Sequence, residues 1–263
     1  MNKSISAGWV VLGAISFLLS GALAIVITAA KIPMVKHLVD PELIRWCLVV
    51  HVNLATLVWF TALPVGLIYF STRSRGYLSS QLSWTALALA ILGLALMFSV
   101  PPREDVRGIL ANYVPVLNQS RYQFGLLVYL MSVVMALLSP KYFVGESDDS
   151  NGGSGAYEVR FGLLVGAMFL LFAAGSFMHA FHQLRSIELI SEFRYFELGM
   201  WGGGHLIQHA SVVFLVCCWV IFLSRSHSSP ILARRDLFWI FAWMGIPLFF
   251  VPLLAFLDVT SEE

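Results

Sequence analysis

Residues 8–30 read GWVVLGAISFLLSGALAIVITAA, 23 residues without a charge or a proline. At 1.5 Å rise per residue a helix of that length reaches about 34 Å, more than the roughly 30 Å hydrocarbon core of a bilayer. It does not read as a cleaved signal peptide. It is too long, and Lys31-Ile32-Pro33 follows where a small-residue cleavage site would stand. Six more apolar segments succeed it, at about 44–70, 80–100, 113–139, 160–182, 196–223 and 237–258. Helices are the economical reading, because lipid offers no partner to an open backbone.

The composition agrees. Of 263 residues, 59% are hydrophobic and 12% charged, against roughly 45–50% and 25% in ordinary soluble chains. The sequence predicts a single all-α membrane domain over residues 1–263, a polytopic integral bundle of about seven transmembrane helices whose first partner is the lipid bilayer. A net charge of +1 leaves no basic face for nucleic acid. Three cysteines, Cys47, Cys217 and Cys218, cannot make a disulfide framework. The fourth segment has a polar start, Asn118-Gln-Ser-Arg121, which predicts a beginning in the interface. Residues 145–156 read as a flexible loop. The lysines and arginines divide evenly between alternate connections, so the positive-inside rule gives no orientation; Arg225, Arg234 and Arg235 lean towards a cytoplasmic amino terminus.

Five of the seven histidines lie within or at the ends of spans: His51, His179, His182, His205 and His209. Coordinating groups at membrane depth are rare and mark functional sites by default. Even-numbered spans start on the side where odd-numbered spans end, so all five fall towards one face of the membrane. His205 and His209 are four apart and His179 and His182 three apart, so each pair shares a helix side. Such groups can address a metal or haem. Each also has a plainer reading, a histidine hydrogen-bonded to a carbonyl or snorkelling beside Arg185. Three glycines, Gly202-Gly203-Gly204, precede His205. They suit a haem lying on bare backbone, or tight helix packing.

The second span reads Trp46-Cys-Leu-Val-Val-His51-Val-Asn53-Leu-Ala-Thr-Leu-Val-Trp59-Phe60. It resembles the second helix of haem-copper oxidase catalytic subunits, closest to the cbb-type oxidases and nitric oxide reductases. The sixth, Glu197-Leu-Gly-Met-Trp201-Gly-Gly-Gly-His205-Leu-Ile-Gln208-His209, resembles that family's sixth helix, and Asn112-Tyr113-Val-Pro115-Val-Leu-Asn118 its fourth-helix entry. The resemblance covers the amino-terminal half of a twelve-span protein. It implies that His51 is an axial ligand of a low-spin haem b. It also implies that His205 is a metal or haem ligand with His209 as its neighbour, and that copper is a second cofactor. Arg45, Arg185 and Arg194 lie near the same face, where they can pair with haem propionates or stand as ordinary interfacial arginines.

The departures matter. Span seven ends Pro247-Leu-Phe-Phe-Val-Pro252-Leu-Leu-Ala-Phe-Leu-Asp258 without the family's histidine pair, and the tenth-helix ligands have no counterpart. A complete oxygen-reducing centre cannot be built from this polypeptide. The expectation is therefore a haem-binding electron-transfer subunit of a respiratory complex, part of an oxidoreductase and not a complete oxidase. It would sit in a bacterial inner membrane, with other membrane subunits supplying missing ligands and a cytochrome c or quinol as donor. A truncated family member fits too. The alternatives are a protein handling copper or zinc through His179, His182, His205 and His209, and a structural accessory subunit.

Overall fold

A computed structural model describes residues 2–71, 77–111, 113–138, 156–187, 189–226 and 232–251. The chain is an all-α multi-pass membrane bundle. Among the described residues six helices are long and apolar enough to cross a bilayer: Ser4–Ala29, Pro41–Phe70, Ser80–Phe98, Ser120–Leu137, Val159–Leu184 and Glu192–Ser224. The full elements are α1 (Asn2–Ala29), α2 (Pro41–Val52), α3 (Trp59–Ser71), α4 (Tyr77–Phe98), α5 (Ser120–Leu137), α6 (Ala156–Leu184), α7 (Glu192–Ser226) and α8 (Arg234–Gly245). A 3-10 turn, Ile246–Phe249, follows α8. The remainder of the seventh expected segment, residues 252–258, lies outside the described residues, as does almost all of the 145–156 loop.

The second span begins where its sequence says a helix should. The Asp40 carboxylate accepts from the Glu42 amide at 3.0 Å and Pro41 stands in the first turn, where a missing N–H costs nothing. Within the bilayer the span changes register. Residues Asn53–Val58 form a π-helical segment in which the Trp59 N–H reaches back to Leu54 O, and this segment joins α2 to α3. Such one-turn insertions are rare and collect at functional sites.

The fourth span departs from expectation. Residues 113–119 are not helical; α5 starts at Ser120. Gly108–Ile109 (β1) and Val116–Leu117 (β2) instead pair antiparallel, Gly108 opposite Leu117. Two residues explain it. Pro115 lacks an N–H and disfavours helix at Val114. Asn118 accepts from the Arg107 amide through Oδ1 at 2.7 Å, a side chain drawing the backbone into a turn. The hairpin is not a surface loop, since Val106, Ile109, Val114, Val116 and Leu117 are buried.

Helices meet through small residues, as expected where lipid removes the hydrophobic drive between them. A Cβ on Gly93 of α4 would fall 2.7 Å from Gly125 O, and one on Gly125 of α5 would fall 2.7 Å from Gly93 O, so the two backbones touch. α1 lies on α3 through Ser6, whose hydroxyl donates to Gly66 O at 2.7 Å. α6 packs most extensively on α7, and α8 lies against α6.

Candidate functional site

His51 ends α2, roughly 15 Å into the span at 1.5 Å per residue from Pro41. Its ring is held by the first helix. Nδ1 lies 2.9 Å from Ser20 O and 2.8 Å from Ser20 Oγ. The Ser20 hydroxyl itself donates to His51 O at 3.1 Å. A carbonyl only accepts, so Nδ1 carries the proton and Nε2 keeps its lone pair. Among the described residues Nε2 has no hydrogen-bond partner. This is the arrangement of a metal-ligating imidazole, with one nitrogen anchored to a carbonyl and the other presented. About 12 Å further along the same span, past the π segment, Trp59 of α3 meets Phe17 of α1 at 4.9 Å and Phe60 at 4.7 Å.

Two residues on, Asn53 is fully buried. Its amide nitrogen lies 3.0 Å from Val49 O, 2.6 Å from Pro115 O and 3.0 Å from the Tyr122 hydroxyl. It therefore ties span two to the hairpin and to α5. Its Oδ1 is buried without a partner among the described residues. Further down, the Thr61 and Tyr129 hydroxyls meet at 2.7 Å, and Tyr129 donates to Val58 O at 3.1 Å. These bonds tie the span to the hairpin and to α5 on both sides of the π segment. Trp46 adds another tie, donating from Nε1 to Val100 O at 2.7 Å.

His205 has the same polarity as His51. Its Nδ1 donates to Trp201 O at 2.7 Å, one turn back, leaving Nε2 without a partner among the described residues. Its ring is flanked by Tyr113 at 4.3 Å and Trp201 at 4.4 Å. Tyr113 holds a φ of 68°, a left-handed conformation that costs a side-chain-bearing residue energy. The hairpin thus sets its strained tip edge-on against one side of the span-six histidine, which stays half-exposed.

His209 is engaged elsewhere. Its Nε2 donates to Met244 O at 2.9 Å and its ring lies 4.4 Å from Phe169, binding α7 to α8 and α6. His179 is half-buried, its Nε2 enclosed without a partner among the described residues. His182 is exposed. His179 and His182 lie in the last turns of α6, whereas His209 stands at the middle of α7, so the five histidines do not form one cluster. Among the described residues no three of His, Cys, Asp and Glu come together to hold a metal ion. The four-histidine copper or zinc site is therefore not assembled there.

The glycine run has the packing role. A Cβ on Gly203 would collide with the Phe177 ring and one on Gly199 with Phe181, while Ser176 Oγ would lie 2.7 Å from a Cβ on Gly202. The α6 aromatics occupy the space a haem face would need there. The arginines are partly spoken for as well. Arg45 pairs with Glu42 at 2.8 Å and Arg194 with Glu197 at 3.2 Å, each within one helix turn, and Arg185 is exposed. Sequence reading missed Ser20 and Tyr113. The only signal for Ser20 was a polar residue inside an uncharged run, four after Ser16.

Residues 35–104, the second and third spans with the turn before them, match a family described as "Domain of unknown function (DUF2427)". An "Uncharacterized protein RP382" of Rickettsia prowazekii (strain Madrid E) is 22% identical over 253 residues, covering 84% of this chain and 47% of that protein. The chain thus spans about half the length of the curated relative it matches. No solved structure matches the chain.

Proposed function

We propose that the protein is a haem-binding electron-transfer subunit of a respiratory membrane complex, with His51 as an axial ligand of haem b. The observation that carries this is the His51 ring: Nδ1–H is locked to the Ser20 carbonyl and Nε2 is presented inside the membrane. The donor chemistry suits haem iron, for which neutral imidazole is a common ligand. When bound, the haem would supply one-electron redox chemistry. The protein would hold the imidazole in one tautomer and keep water from it.

Only one axial position is provided in this way. The second would come from another membrane subunit or from a further histidine of this chain whose Nε2 has no partner among the described residues, His205 or His179. A cytochrome c or quinol would be the donor, and a bacterial inner membrane the location. The resemblance of the second span to haem-copper oxidases supports the same role.

The test is an absorption spectrum of the purified, full chain reconstituted with haem, compared with His51→Ala. A Soret band with a sharp reduced α-band that is lost in the mutant is the expected result. An unchanged low-spin spectrum in the mutant removes His51. Absence of haem from the native chain and its complex removes the reading.

A further inference from the structure

The outward side of α7 carries a pattern of which the haem reading uses no residue but His205. Trp201, His205, Gln208, Val212, Leu215 and Trp219 recur at spacings of four and three residues, and all are exposed or half-buried. The positions between them that face inward, such as Ile207, Ala210, Phe214 and Cys217, are buried. An alternating four-three stripe is the seam along which two helices lie side by side. Trp201 and Trp219 are about 27 Å apart along the helix, close to one hydrocarbon thickness, and tryptophan favours the two interfaces. His205 and Gln208 therefore sit within the hydrocarbon.

There they are unsatisfied. Gln208 is exposed and has no hydrogen bond among the described residues, and His205 Nε2 has none either. Lipid offers neither group a partner, so each is costly as it stands. We propose that this seam is the contact with a second copy of the chain, in a parallel two-fold pair.

The choice of a second copy rests on complementarity within the seam. With its Nδ1 proton given to Trp201 O, His205 can only accept at Nε2. Gln208, one turn away, carries amide N–H donors. A two-fold axis brings Gln208 of one copy to His205 of the other, and the reverse, which is the reciprocity of an isologous interface. From Met200 to Ser224 the helix has no Asp, Glu, Lys or Arg, so no fixed charge calls for an oppositely charged partner. The pairing takes up His205 Nε2, so it leaves His51 as the haem ligand and the second axial position to another group, and it holds whether or not haem binds.

The experiment uses the full chain in phosphatidylcholine vesicles. Gln208→Cys and Val212→Cys are oxidised with copper phenanthroline beside the native chain, whose Cys47, Cys217 and Cys218 are buried and set the background. Leu171→Cys, on the 38% exposed side of α6 away from the seam, is the control. Cross-linked dimer at 208 and 212 but not at 171 is expected. Gln208→Leu, an apolar change on an exposed face that leaves folding intact, removes both reciprocal bonds and should weaken dimerisation roughly eightfold or more, as for two average hydrogen bonds between membrane helices. A monomeric native chain, equal cross-linking at 171, or a dimer indifferent to Gln208→Leu overturns the proposal.

Discussion

Ser20 and His51 hold each other in both directions: the imidazole Nδ1–H points to Ser20 O at 2.9 Å, and the Ser20 hydroxyl points to His51 O at 3.1 Å. The serine hydroxyl also lies 2.8 Å from Nδ1. One residue of the first span thus fixes both the backbone and the ring of the second-span histidine. The ring is aimed before any ligand arrives.

Ser20→Ala removes the hydroxyl and leaves the carbonyl bond. The expected cost is about 1 kcal/mol of stability, one buried hydrogen bond. If haem binds at His51, the low-spin spectrum should persist with a broadened or shifted α-band, because the ring is less tightly aimed. A spectrum and a melting temperature identical to the native chain's would show that the hydroxyl contributes nothing.

Asn53→Leu cuts the tie from span two to Pro115 O and the Tyr122 hydroxyl. Stripping two buried acceptors of their donor should destabilise the protein by about 1–3 kcal/mol. The effect should be felt at the hairpin, so proteolysis within residues 103–113 should accelerate. Equal cleavage rates in mutant and native protein would mean that the hairpin is held by packing alone.

Gly203→Leu drives a side chain into Phe177. Overpacking of this kind costs typically 1–3 kcal/mol. Fewer molecules should fold, while the cofactor or metal bound per folded molecule stays the same. A selective loss of bound ligand in well-folded Gly203→Leu protein would return the glycines to a binding role.

The chain alone should not turn over oxygen or nitric oxide. The haem-copper reaction needs a second metal held beside a haem, and no three-donor group assembles among the described residues. Oxygen consumption by the isolated, correctly sized chain would show that the chemistry needs less than the resemblance implies.

The spans were legible because long uncharged runs have one stable answer in lipid. What sequence could not show was each ring's partner. Ser20 and His51 are 31 residues apart, and nothing local links them. The hairpin was misread for a different reason. Val114-Pro-Val-Leu117 is apolar enough to extend a membrane helix, and its burial against span two came from Asn53, a residue 62 positions before Pro115. The glycine run allowed two readings, and the Phe177 and Phe181 rings decided between them.

The π segment at Asn53–Val58 has an evolutionary consequence. A π turn is what a one-residue insertion leaves in a helix that cannot slide. Above it, His51 is registered to the first helix; below it, Thr61 is registered to Tyr129 of the fifth. Deleting one residue, Ala55 for example, would restore regular winding and turn one half by about 100° against the other. One of the two alignments would then be lost. The bulge decouples them, so the upper half of the span can change its chemistry while the lower half keeps its packing.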